Sequence, residues 1–253
     1  MSKHLVIPDP QVRAGIPLDH LSWLGEYLVA KQPDTVICLG DWADMPSLSV
    51  YEPKGSKEFE NRRYKKDVEA ARYAQKLLWT PLNKYNATAK KKYKPRKVML
   101  GGNHDEGRIL RAINSNPALL DGIVSLEDLG YEEFGWQYVP FLQPINIDGV
   151  MYCHYFPFGK MAKPISSARM LITKLHMSCV AGHAQGRDIA YGSRADGKTV
   201  TAIIAGSFYQ HDEGYLPPLT NKHWRGFYML HEVQDGEFDE MAVSINYLKR
   251  KYS

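Results

Sequence analysis

Five positions along the chain pair a metal-ligating side chain with the end of a short apolar run. Asp9 closes HLVIPD, Asp41 closes TVICLGD, and Asn103, followed by His104 and Asp105, closes KVMLGGN. His154 lies in GVMYCHY and His183 ends SCVAGH. Carboxylate, amide and imidazole groups brought together make a mixed oxygen and nitrogen site of the kind used by divalent metals that activate water. Ligand sites in α/β proteins gather at the carboxyl ends of strands. Five strand-like runs that all end this way argue for one shared site; the bland alternative is a set of polar turn residues. Gly40, Gly101, Gly102 and Gly182 beside them suit tight turns directly after a strand.

The elements that must position these residues alternate between strand and helix patterns. After the first run, residues 18–30 place Leu21, Leu24 and Leu28 on one helical face, and Gln32-Pro33-Asp34 ends the pattern. The third run precedes an amphipathic stretch carrying Ile109, Leu110 and Ile113. A helix starting near Pro164, with a stripe of Ile165, Ala168, Ile172 and Leu175, separates the fourth and fifth strands. TVTAIIAGSF, GFYMLHEV and MAVSINYL then read as strands, two of them joined at an Asp235-Gly236 turn. Such a chain predicts a single α/β domain over residues 1–253 with mixed sheets. Residues 53–96 interrupt the rhythm and read as a basic helical insertion over or beside the functional edge. Phe59, Tyr64, Val68, Ala71 and Leu78 form its partial apolar stripe, and Pro81 breaks the pattern.

The net charge of +4 conceals an asymmetry. Residues 54–97 hold 15 lysines and arginines against 4 acids, leaving 17 against 24 in the remainder. A run of lysines is most often a solvated helix face. Here Arg62, Arg63, Lys65, Lys66, Lys90, Lys91, Lys92 and Lys94 are interleaved with Tyr64, Tyr73, Tyr85 and Tyr93, and cations with aromatic platforms suit single-stranded nucleic acid. No apolar run is long enough to span a bilayer, and residues 1–15 lack a basic segment followed by an apolar one. Cys38, Cys153 and Cys179 sit inside apolar runs with no CxxC pair, so buried free thiols and a cytoplasmic setting are expected.

In order, the polar positions read Asp9-Pro10-Gln11, Gly40-Asp41-Trp42-Ala43-Asp44, Gly102-Asn103-His104-Asp105, His154, and Gly182-His183-Ala184-Gln185. This order resembles that of the calcineurin-like metallophosphoesterases: D-x-H, G-D-x-x-D, G-N-H-[DE], a lone H, and G-H-x-H. The resemblance covers roughly residues 4–230 and implies an αββα sandwich of two mixed β-sheets flanked by helices. It implies that Asp41 bridges two metals, that Asn103, His154 and His183 complete one shell, and that Asp9, Gln11 and Gln185 complete the other. Gln11 and Gln185 stand where the family has histidines, and both fall on the same metal. An amide oxygen is a harder ligand than imidazole, so this all-oxygen shell favours Mn²⁺, with Mg²⁺ next, over zinc or iron.

The resemblance further implies a phosphoesterase in which a hydroxide activated by two metals attacks phosphorus. His104 would protonate the leaving oxygen, with Asp105 fixing its orientation. Asp44 reads as a residue that orients its neighbours. Water could replace the side chain of Gln11 or Gln185 at the metal, and His154 has a buried core histidine as its alternative. Arg108 and Arg111, one helical turn apart, are candidate phosphate clamps or simply exposed helix charges. Arg225, a further candidate for substrate binding, lies with His211 and His223 in a loop over residues 208–226 whose length suits function, with solvent-exposed polar residues as the alternative. The expected substrate is a phosphodiester in nucleic acid or nucleotides. The alternatives are a phosphomonoesterase or protein phosphatase, and a catalytically weak nucleic-acid-binding or scaffolding member of the fold.

Overall fold

The runs HLVI, TVIC and KVML lack polar alternation because both faces of the sheet they form are covered. The computed structural model describes residues 1–51, 55–212 and 223–253. The chain runs β1 (Ser2–Ile7), α1 (Asp19–Lys31), β2 (Thr35–Cys38), α2 (Tyr64–Thr88), β3 (Arg96–Leu100), α3 (Glu106–Ser115) and α4 (Pro117–Leu120). It continues through β4 (Gln137–Val139), β5 (Ile145–Ile147), β6 (Val150–Cys153), the hairpin of β7 (Pro157–Phe158) and β8 (Lys163–Pro164), then α5 (Ala168–Leu175) and β9 (Cys179–Ala181). The last elements are β10 (Arg187–Ser193), β11 (Thr199–Ala205), β12 (Gly226–Gln234), β13 (Glu237–Ser244) and α6 (Ile245–Tyr252).

Six strands form one sheet in the order β13-β12-β1-β2-β3-β4, and five form the other in the order β10-β11-β9-β6-β5. In the first, β1, β2, β3 and β4 are parallel and β12 and β13 antiparallel. In the second, β6, β9 and β11 are parallel, with antiparallel strands at both edges. Successive side chains on a strand point to opposite faces. Leu5, Ile7, Val36, Cys38 and Met99 therefore pack under helices, while Val6, Ile37, Leu39, Val98 and Leu100 meet Tyr152, Val180 and Ile203 of the facing sheet. The outer face of the second sheet, with Cys153, Cys179, Ala181, Ala202 and Ile204, packs against Ala168 and Leu171 of α5. The order of layers is helices, sheet, sheet, helix, as the resemblance implied.

The basic helical stretch expected over 53–96 connects β2 to β3 through α2. Parallel neighbours such as β2 and β3 need a crossover connection, and α2 is that crossover. It buries Ala71, Ala74, Leu78, Trp79 and Leu82 beside α1. Pro81 does not end the helix, which continues to Thr88. Gly25 of α1 explains the tolerance: a Cβ there would press on the Leu78 carbonyl oxygen and the Pro81 ring, so a side-chain-free position lets the two helices close around the proline. Helix α2 has 25 residues, a length of about 37 Å. Its start lies beside the loop after β2, where Ser47 N donates to Asp67 and Arg62 donates to the Pro46 carbonyl. Its end lies at the opposite edge of the sheet, where Tyr93 donates to the Pro33 carbonyl just before β2. Lys90, Lys91, Lys92 and Lys94 therefore sit at the far end from the strand carboxyl termini. Tyr64, Tyr85 and Tyr93 are packed against the core, and only Tyr73 of the four tyrosines is exposed.

Two other expectations are corrected. The stretch MAVSINYL does not stay extended: Ser244 caps a helix by accepting from Tyr247 N, and INYL becomes its first turn. The helix expected from near Pro164 starts at Ala168, because Lys163–Pro164 is drawn into the β7–β8 hairpin. The Asp235-Gly236 turn is present, with positive φ at both residues as a tight hairpin requires. All three cysteines are free and buried. Among the described residues no helix is long and apolar enough to cross a membrane.

Candidate metal centre

The parallel runs of the two sheets bring their carboxyl ends to one edge. β1, β2 and β3 deliver Asp9, Asp41 and Asn103 from one side, and β6 and β9 deliver His154 and His183 from the other. Backbone bonds outlast the strands there: Gln11 N donates to Asp41 O, Val12 N to Trp42 O, and Gly182 N to His154 O. Asp9, Gln11, Asp41, His183 and Gln185 all have positive φ, between 37° and 64°. Non-glycine residues adopt that conformation at a cost and cluster where function holds them there. The strand-end turns thus aim five of the seven expected ligands through strained backbone.

The half of the site formed by Asp41, Asn103, His154 and His183 is closely convergent. One ligand atom from each of Asp41, His154 and His183 lies within 4.8 Å of the others. His154 donates from Nδ1 to the Leu39 carbonyl at 2.8 Å, which in the neutral imidazole leaves a lone pair on Nε2. That Nε2 lies 2.8 Å from Asn103 Oδ1 and 3.5 Å from Asp41 Oδ2, and the same Asn103 oxygen lies 2.8 Å from His183 Nδ1. Burial and the neighbouring His154 push His183 down to about 4, so its ring is the neutral form that metals bind. Burial pushes the Asp41 carboxyl up, but the imidazoles of His154 and His104 and the backbone N–H of His104 outweigh it and hold it below the usual carboxylate range. Oxygen and nitrogen lone pairs aimed at one point fit a cation between them.

The Asp9 half is looser and its polar atoms are orphaned. Asp9 is fully buried and Gln11 nearly so, and neither side chain has a hydrogen-bond partner at normal geometry. Burial, then the charge of Asp41, pushes the Asp9 carboxyl well above its ordinary range, and the backbone of His183 offers partial relief. A buried carboxylate without a partner is costly, and a cation at this position removes the cost. Gly182 leaves the room: a Cβ there would collide with Asp9 Oδ1. Gln185 stands further out, its Oε1 accepting from the Tyr209 hydroxyl at 2.9 Å. The donor set of Asp9, Gln11 and Asp41 fits a hard divalent ion, and the Gln185 amide oxygen keeps a second lone pair beside the one that accepts from Tyr209.

His104 lies beside the convergent half, with its backbone N–H bonded to Asp41 Oδ1 at 2.8 Å. The structure corrects the identity of its orienting partner. His104 Nδ1 donates to Asp44 Oδ1 at 2.7 Å, whereas Asp105 is fully buried and accepts from Gly102 N, Glu106 N, Trp42 N and the Tyr131 hydroxyl. Asp105 thus caps α3 and ties the loops after β2 and β3 together; burial, then the Asp41 charge, raises it to about 6. Asp44 is also paired with Arg13 at 3.2 Å and Arg108 at 3.3 Å. Its own burial notwithstanding, His104, Arg108 and Arg13 hold it well below the usual carboxylate range. Burial lowers His104, but Asp41 and Asp44 outweigh it and raise its pKa.

Arg108 is buried rather than an exposed helix charge, and its Nη1 donates to Asp44 and to the Met45 carbonyl, whereas Arg111 is exposed on α3. Arg225 pairs with Asp212 at 2.9 Å and lies 4.8 Å over the Tyr209 ring. The centre of the loop expected over 208–226, residues 213–222, lies outside the described residues. His223 bonds Ser207 and the Tyr209 hydroxyl, and His211 stacks on Tyr209. Tyr209, Tyr155 and Phe141 carry no motif that would single them out in the sequence. Glu106 could have been noticed as the residue closing GGNHDE; its carboxylate accepts from Tyr138 and from Phe141 N.

Comparison with known proteins adds little to this geometry. No family model matches the chain, and no curated protein does. One solved structure that it resembles is that of a conserved uncharacterized protein, a predicted phosphoesterase, from Streptococcus pneumoniae TIGR4. The identity is 13% over 96% of this chain and 98% of that one, with a TM-score of 0.34, too low to carry an argument about function.

Proposed function

We propose that this chain is a divalent-metal-dependent phosphoesterase acting on phosphodiester bonds in nucleic acid or nucleotides. The observation that carries the reading is the convergence of lone pairs from Asp41, Asn103, His154 and His183 beside the orphaned carboxylate of Asp9. Two ions would be held, one by Asp41, Asn103, His154 and His183 and the other by Asp9, Gln11, Asp41 and Gln185. Hard oxygen donors in the second set favour Mn²⁺, then Mg²⁺. When bound, such ions supply Lewis acidity toward a phosphate oxygen and lower the pKa of water.

The chain's own residues supply the rest. His104, with Nδ1 committed to Asp44, keeps Nε2 for a proton that a departing alkoxide oxygen can take. Asp44, clamped by Arg13 and Arg108, fixes the ring without itself meeting the substrate. Arg62, Arg63, Lys65 and Lys66 lie near the start of α2, the end beside the loop after β2, and supply a positive approach for a polyanion. Lys90, Lys91 and Lys92 are roughly 37 Å further along α2 and can touch only a long substrate.

The test is a panel of bis-p-nitrophenyl phosphate, p-nitrophenyl phosphate and a phosphopeptide on apo-protein reloaded with Mn²⁺, Mg²⁺ or Zn²⁺. Diester turnover highest with Mn²⁺, and reduced at least a hundred-fold by Asp41→Asn, is expected. Turnover unchanged by both Asp41→Asn and Asn103→Ala sinks the assignment. A monoester or phosphopeptide preference would replace the substrate while keeping the site.

A further inference from the structure

The two imidazoles of the convergent half are walled by aromatic rings that the hydrolytic chemistry does not need. Tyr155 directly follows His154, and its ring centroid lies 4.7 Å from that of His183 and 5.8 Å from that of His154. Phe141, from the loop after β4, lies 5.6 Å from Tyr155 and 5.8 Å from His154. Core aromatics in this chain, such as Tyr152, Phe208 and Phe227, are fully buried, but Tyr155 and Phe141 are each partly open. The next residue, Phe156, turns into the core under α5, so Tyr155 is left on the side of the metal centre. Among the described residues the Tyr155 hydroxyl has no hydrogen-bond partner, so the ring is not there to anchor a bond. Phe141 is held deliberately: its backbone N–H donates to Glu106 Oε2 at 2.6 Å, the same oxygen that accepts from Tyr138. Glu106 therefore ties the wall to the segment that carries Asn103 and His104.

We infer that Tyr155 and Phe141 form a stacking subsite for a planar group attached to the bound phosphate, a nucleobase or an aryl ring. The inference rests on the phosphoesterase reading and adds the part of the substrate that the metal centre does not touch. A planar π-face gains most from offset or edge contact with such a pair, and base–aromatic stacking is sequence-tolerant because every base presents a π-face.

The experiment measures calorimetric binding of AMP and ribose 5-phosphate to Mn²⁺-loaded protein, which differ only in the base. Phenyl phosphate and methyl phosphate form a second pair, and hydrolysis of bis-p-nitrophenyl phosphate is followed separately. AMP is expected to bind about ten-fold more tightly than ribose 5-phosphate. Tyr155→Leu should reduce that preference to below about three-fold, Phe141→Leu should reduce it less, and Tyr155→Phe should keep it. A matching preference for phenyl over methyl phosphate assigns the wall to any planar group; its absence restricts the wall to nucleobases. No base preference in a protein that hydrolyses the diester overturns the subsite and leaves the phosphoesterase reading standing. A preference that survives both leucine variants, or is lost in Tyr155→Phe, overturns stacking as its cause. Neither phosphate binding nor turnover in the unaltered protein overturns both readings.

Discussion

If Asp9 is a metal ligand, the absence of a side chain at residue 182 is what allows it. A Cβ on Gly182 would lie roughly 1 Å inside ordinary van der Waals contact with Asp9 Oδ1, and 3.3 Å from Leu39 Cβ. Since the backbone of His183 is already strained at a φ of 64°, the carboxylate must retreat. Ligand distances tolerate only about 0.2 Å, so Gly182→Ala should weaken the ion at Asp9 by 10–100-fold or more, about 1.4–2.8 kcal/mol. Overpacking should cost a further 1–3 kcal/mol or so in folding stability. The assay is Mn²⁺ titration of apo-protein by calorimetry, with urea unfolding of the metal-free chain. One strong equivalent, at Asp41, Asn103, His154 and His183, should persist while the other fades. Asp9→Asn should lose the same equivalent yet stabilise the metal-free chain by about 1 kcal/mol, because a buried carboxylate without a partner disappears. Gly186→Ala is the control, since a Cβ there meets only the Ala184 carbonyl oxygen at 3.8 Å. If Gly182→Ala binds both equivalents with unchanged affinity and stability, Asp9 is not a ligand and the second ion is held elsewhere.

Two further expectations follow from buried groups. His20 donates from Nε2 to the Phe208 carbonyl at 3.1 Å and accepts at Nδ1 from Gln210 at 3.0 Å. Burial, only partly offset by that carbonyl and deepened by nearby His211, pushes it down to about 3. Its unfolded value is near 6.5, so between these values the unfolded chain binds the extra proton and stability falls as pH falls, by about 1.4 kcal/mol per unit. From pH 6.5 to 4 the loss from this residue should reach about 3 kcal/mol, and urea unfolding of His20→Gln should show a slope flatter by that amount; parallel slopes would refute it. Asp44→Ala strands the buried Arg108 and should cost about 3–5 kcal/mol, whereas Arg111→Ala, on the exposed face of α3, should stay within about 0.5 kcal/mol. Equal losses in those two variants would contradict the pairing described for Asp44.

Much of the site is legible in the sequence because strands are local and their ends are marked. Runs such as TVICLGD and SCVAGH can be buried on both faces and must stop where a carboxylate or imidazole follows a glycine, so Asp41 and His183 are placed by their own neighbours. The apolar stripe of α1, with Leu21, Leu24 and Leu28, is likewise a local pattern. Other features rest on contacts across the fold. Asp44 takes His104 from Asp105 because the loop after β2 folds beneath it, which no spacing encodes. Pro81 reads locally as a helix end, and Gly25, 56 positions earlier, makes room for its ring.

The basic stretch over 54–97 shows the division most plainly. Its charge is a property of composition and needs no fold to be read. Whether those charges face the candidate metal centre depends on the parallel pairing of β2 and β3, which turns the stretch into a crossover helix and sends its lysine-rich end to the far edge of the sheet. The polar residue types at the strand ends were determined by the chain alone. Their convergence, the orphaned state of Asp9 and Gln11, and the aromatic wall beside His154 were decided only when two sheets packed face to face, because each draws its atoms from segments far apart in sequence.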